Sequence, residues 1–264
     1  MSISSDLHGH DVHHDHHRDH NPHISLLQPF SWLARGWDDL TDSPRASLTY
    51  GFIVAFMGLL LFMLSRHPYF VAAVVTSFLL VGPILTTGIC ELSRRQGKGE
   101  PASFDASLEA LTRNRRGLSR FAMGLLGLGL FWFTLSTTML TQILGSAAPD
   151  FGLSVWAMWS EIIEMMTADQ LLAYLIVGGA LAVVVFALSV VTVPMLIDRK
   201  VSASEATMMS VRQTIAHLPT MIVWAAIIVA LVALGFATFM LGLIVVFPLL
   251  GHATWHAYRD LTIE

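Results

Sequence analysis

The sequence has one cysteine, Cys90, in 264 residues, so no internal disulfide can form and the redox compartment is left open. Charge is scarce as well. Only 13% of the residues are Asp, Glu, Lys or Arg, and 54% are hydrophobic. With a mean hydropathy of +0.63, this excludes an ordinary soluble domain. There is no basic surplus, since 15 Lys and Arg stand against 19 Asp and Glu, and this speaks against a nucleic-acid partner. No Walker loop, nucleophile elbow, HExxH or CxxC occurs, so the expectation is that the chain is not an enzyme. The N-terminus lacks an apolar h-region, which argues against a cleaved signal peptide.

What the chain does have is long uncharged windows between short charged ones, the signature of membrane spans. The reading is all-α: a six-span transmembrane helix bundle at about 46–64, 69–92, 121–144, 171–197, 218–234 and 237–256. The last two spans come from a 33-residue apolar run, 218–250, which is roughly 50 Å as a helix and too long for one crossing. They are expected to meet near Leu234, Gly235 and Phe236. Gly124, Gly127 and Gly129 in the third span allow close helix approach.

Three proline-marked span ends repeat. VGPILTTGICELSRR, VTVPMLIDRK and VVFPLLGHATWHAYRD each run from an aliphatic stretch through a proline to a charged exit. Aligned on Pro83, Pro194 and Pro248, they place Thr87, Asp198 and His252 at one offset and Glu91, Ser202 and His256 at another. Each span pair is preceded by an amphipathic segment. Phe30, Leu33, Trp37 and Leu40 mark the first, and Phe104, Leu108 and Leu111 after a Ser103 cap mark the second. Met208, Val211, Ile215 and Leu218, opened by a capping box at Ser202 and Glu205, mark the third. The architecture is therefore three repeats of a surface amphipathic helix plus a transmembrane hairpin, over residues 29–264. A further interfacial helix is expected in the acidic loop 145–170, around Trp156, Trp159, Glu161 and Glu164.

With six spans, 14 of the 15 basic residues fall on one side and only Arg66 opposite, which predicts that both termini are cytoplasmic. Residues 1–28 read as a disordered, cytoplasmic tail. His8, His10, His13, His14, His16, His17, His20 and His23 alternate there with aspartates, a composition suited to a divalent transition metal such as zinc, nickel or copper. No other cofactor is expected.

The candidate site is the polar cluster at the cytoplasmic span ends: Glu91, Arg94, Asp198, Arg199, His252, His256 and Arg259. His252 and His256 are i, i+4, a spacing that can hold a metal or one side of a haem, with Glu91 and Asp198 as partners at matching depth. The same groups can instead pair with the arginines and touch lipid phosphates, or line a transport path.

The strings WLARGWDDL, GPILTTGICELSRR, VPMLIDR and above all PLLGHATWHAYR resemble the bacterial integral membrane proteins grouped as domain of unknown function 2189, over roughly residues 30–260. The resemblance implies a multi-pass inner-membrane protein with no established reaction. The expected function is a non-catalytic accessory, scaffold or assembly subunit whose partners are membrane lipid and other membrane-protein subunits. The alternative is a carrier of metal ions or small solutes with a metal-gathering tail.

Overall fold

A computed structural model describes residues 24–64, 82, 85–144 and 164–262, and among them every regular element is a helix. The histidine-rich segment 1–23, most of the second span and most of the acidic loop lie outside the described residues. Residues 24–27, assigned from sequence to the tail, are held in place: Thr220 donates to the carbonyls of Ile24 and Ser25, both at 3.4 Å.

Helix α1 (Gln28–Asp42) opens with a proline in its first turn and is followed by α2 (Pro44–Leu64). The next helical residues are 82 and 85–96, the latter here α3. The expected surface helix after Ser103 forms as two single turns, α4 (Phe104–Ser107) and α5 (Ala110–Arg113). Ser103 caps it as anticipated, accepting from Ala106 N. The break follows because Ser107 turns its hydroxyl to the Phe104 carbonyl and to Tyr50 Oη (2.6 and 2.7 Å), and the chain tightens to i−3 bonds at Leu108 and Glu109.

The third apolar helix, α6 (Arg115–Leu144), starts six residues before the expected 121 because Asn114 caps it, accepting from Gly117 N at 3.1 Å. The expected fourth span is split into α7 (Ala168–Ser189) and α8 (Thr192–Asp198). Two causes meet there. Pro194 has no N–H for the Val190 carbonyl, and the Ser210 hydroxyl inserts into the ladder, accepting from Val191 N (3.1 Å) and donating to the Ala187 carbonyl (2.7 Å). Ser210 belongs to α9 (Ala203–Ala216), whose Ser202–Glu205 capping box is formed.

The long apolar run breaks, but at 238–242 and not at 234–236, giving α10 (Leu218–Ala237) and α11 (Leu243–Leu261). Phe239 and Met240 take positive φ (53° and 69°), and Thr238 accepts from Gly242 N at 2.9 Å to close the corner. Three helices among the described residues are long and apolar enough to cross a membrane: Arg115–Ile143, Ala168–Asp198 and Leu218–Ala237.

Helix α11 packs along both α1 and α2 and touches α3, α8 and α10. Glycine makes these contacts close. A Cβ on Gly36 would stand 2.7 Å from Ala253 N, and one on Gly251 would stand 2.7 Å from Ile89 Cγ2. On Gly51 it would overlap the Ile244 backbone.

The amphipathic stripe of α1 is divided between two sides. Leu40 is buried and Leu33 packs against the core, together with the buried Pro29, Trp32 and Gly36, whereas Phe30 and Trp37 are 55% and 50% exposed, as a helix with an apolar outer face requires. Helix α9 turns Met208 and Ile215 outward. It buries Ala206, Ser210 and Thr214. On α9 the inward face is the one that carries small and hydrogen-bonding side chains.

Candidate functional site

The charged end of the bundle is built on Glu91. ELSRR places Arg94 and Arg95 three and four residues after it on α3, so all three side chains share one face. Arg94 makes a bidentate pair with the carboxylate (Nε 2.7 Å, Nη2 2.8 Å) and Arg95 Nε adds a third bond at 2.9 Å. Arg113, at the end of α5, adds a second bidentate pair at 2.7 and 2.8 Å. Glu91 is wholly buried, so one carboxylate holds three guanidiniums together. The excess positive charge is met at the rim, where Arg94 reaches Glu100 (3.4 Å) and Arg95 reaches Glu109 (2.7 Å). Arg113 also donates to the Ile197 carbonyl and Asn114 to the Val201 carbonyl, which ties the knot to α8 and to the start of α9.

The histidines stand in a second group. His252 is fully buried on α11 with Ser47 Oγ 2.9 Å from Nε2 and Ser93 Oγ 2.7 Å from Nδ1. A neutral imidazole satisfies both hydroxyls with one N–H and one lone pair, so α2, α3 and α11 are pinned through a single ring. His256 Nε2 lies 3.0 Å from Asp39 Oδ2 of α1, and the same oxygen is 3.8 Å from His252 Nδ1. Gln96 donates to the Asp39 carbonyl and to Ser43 Oγ and closes this group on the α3 side.

A third group joins α1 to the last turn of α11. Asp260 accepts from Gln28 Nε2 and Trp32 Nε1, both at 2.8 Å, and from both terminal nitrogens of Arg35. Burial alone would raise the Asp260 carboxyl, but the bonds from Arg35, Gln28 and Trp32 outweigh it and hold the group below the usual carboxylate range. A depressed folded value stabilises the fold above the unfolded pKa of about 3.9, and this contribution is lost as pH falls through the lower folded value. Asp260→Asn is therefore expected to melt below wild type at neutral pH, with the gap closing below about pH 4. Thermal melts of both proteins across that window check it, and a gap that does not shrink as pH falls from about 5 to about 2 refutes it.

The seven expected site residues divide as follows. Glu91 and Arg94 pair directly. Asp198 accepts from Tyr258 Oη at 2.8 Å; burial and this carboxylate push the phenol up to about 12. Arg199 donates to the Thr262 carbonyl at 3.4 Å. His252 and His256 take serines and Asp39 as partners, not Glu91 or Asp198. Arg259 is exposed and outside these groups. Sequence reading missed Asp39, Ser47, Ser93, Arg113 and Asp260. Of these, Arg113 carried a signal in the sequence: it stands two residues after Leu111, at the basic end of the second amphipathic segment. Among the described residues no group of three or more His, Cys, Asp or Glu side chains is arranged to hold a metal ion.

Such a fold and polar end define an all-helical protein with helices able to span a membrane. Residues 70–198 match the family described as Predicted integral membrane protein (DUF2189). This is narrower than the expected 30–260: the match takes in Glu91, Arg94, Arg95, Arg113 and Asp198 and leaves the C-terminal GHATWHAYR string outside. No curated protein and no solved structure matches the chain.

Proposed function

We propose that this chain is a non-catalytic protein of the bacterial inner membrane that acts as an accessory, scaffold or assembly subunit. In this reading it crosses six times, as three repeats of surface helix and hairpin, with both termini in the cytoplasm. One observation carries it: at one end of the bundle three arginines close on the buried Glu91. Groups so tightly paired hold helices together and are not free to act on a solute. The outward faces support a membrane setting, since Met123, Leu130 and Phe131 on α6 and Leu172, Leu175 and Ile176 on α7 are all more than half exposed.

Gentle solubilisation from its native membrane, followed by size separation, is expected to recover the chain in a stoichiometric complex with other membrane proteins. Recovery as a lone chain at every detergent strength defeats the subunit reading. Reporter fusions at Gly235 and after Glu264 are expected to sit on opposite sides, the second in the cytoplasm. A cytoplasmic signal at Gly235 removes the last hairpin.

A further inference from the structure

Helix α9 presents an apolar strip outward: Met208 is 70% exposed, Ile215 68% and Leu218, just past the corner, 49%. Arg212 lies on the same strip, four residues after Met208 and three before Ile215, and is itself exposed. Beyond the corner, Ile222 and Val229 on α10 are 60% and 68% exposed on a candidate membrane span. Water would penalise so much bare hydrocarbon at about 25 cal/mol per Å2, whereas acyl chains do not.

Charge narrows the occupant further. Lys200 is exposed just before α9 and Arg212 within it, with Arg199 one residue beyond Lys200. Against these three cations stand two carboxylates, Glu205, taken by the Ser202 backbone N–H and hydroxyl in the capping box, and Asp198, which accepts from Tyr258. The segment is therefore net positive, beside an apolar strip, at the point where α9 turns into the span.

We propose that α9 and the first turns of α10 form a seat for an anionic phospholipid, with an acyl chain along Met208, Ile215 and Leu218 and the phosphate within reach of Arg212. The long arginine stem lies along the apolar strip while its guanidinium reaches the headgroup layer. The seat rests on the membrane reading above, and the test separates the two.

The full chain, with a bimane label on Met208→Cys or on Val229→Cys, is reconstituted in bilayers containing brominated phosphatidylcholine or brominated phosphatidylglycerol. Cys90 is buried, so the introduced thiol takes the label. Both lipids are expected to quench position 229 equally. At position 208 the anionic lipid is expected to quench at about one fifth the mole fraction of the neutral one, the ~1 kcal/mol of one basic residue near an anionic surface. Arg212→Gln is expected to abolish that preference, and being exposed it leaves assembly intact. Quenching at 229 without quenching at 208 by either lipid overturns the seat and means that protein, a second copy or a partner, covers α9. Equal quenching at 208 by both lipids overturns its anionic character. Absence of quenching at 229 overturns the membrane reading itself.

Discussion

Glu91→Gln lowers the stability of the protein by ~3–5 kcal/mol, the cost of removing one side of a buried ion pair and leaving the other uncompensated. Here the uncompensated side is larger than usual. Arg94, Arg95 and Arg113 have side chains 8%, 12% and 28% exposed, and each points at the same carboxylate. An amide keeps the shape but offers one acceptor and an unwanted donor to three guanidiniums. The result should be read as loss of the folded species in detergent by thermal size-exclusion. Glu109→Gln, removing a carboxylate 66% exposed at the rim, is expected to leave the melting temperature within error. Equal losses for the two variants would mean that the knot matters only as total charge.

Gly51→Ala is the second large effect, and Gly124→Ala its counterpart with opposite sign. At Gly51 the α2 backbone lies directly on α11, and a methyl group has to push through Ile244 backbone atoms, not a side chain that could turn aside. Overpacking of this sort costs ~1–3 kcal/mol and more where backbone must move. Because α2 and α11 also carry Ser47 and His252, the separation pulls that hydrogen bond apart too. At Gly124 nothing lies within 4 Å of the added methyl, so the loss of unfolded-state freedom dominates and the variant gains ~0.4–1 kcal/mol. Thermal unfolding of both variants in one detergent checks the pair, and a Gly51→Ala protein that melts like wild type would show that α2 and α11 are not in contact.

The sequence was most legible where chemistry is local. The Ser103 cap, the Ser202–Glu205 capping box and the Glu91–Arg94 pair each depend on residues three apart, and each formed. It was less legible where the packed face is not the apolar one. On α9 Met208 and Ile215 face outward while Ala206, Ser210 and Thr214 are packed, because in a membrane setting the surroundings are as apolar as the core and hydrogen-bonding or small residues mark the packed face instead. Ser210 shows the same limit from another side: its hydroxyl breaks a helix 19 residues earlier, and no periodicity announces that. The proline alignment put His252 at the depth of Asp198, yet the imidazole went to Ser47 and Ser93, since a buried ring needs two neutral partners more than it needs a carboxylate.

The most direct test of the central claim, that this polar end is a structural clamp and not a cofactor site, is the metal content and visible absorbance of the purified full chain beside its His252→Gln, His256→Gln double variant. Gln can still bridge hydroxyls but is a poor ligand, and any metal held by the N-terminal histidines is common to both proteins. The account predicts identical metal content and spectra, with His252→Ala, which leaves Ser47 and Ser93 unpartnered, losing ~1–3 kcal/mol of stability. A double variant that assembles as well as wild type but has lost a bound metal or a haem band would contradict it.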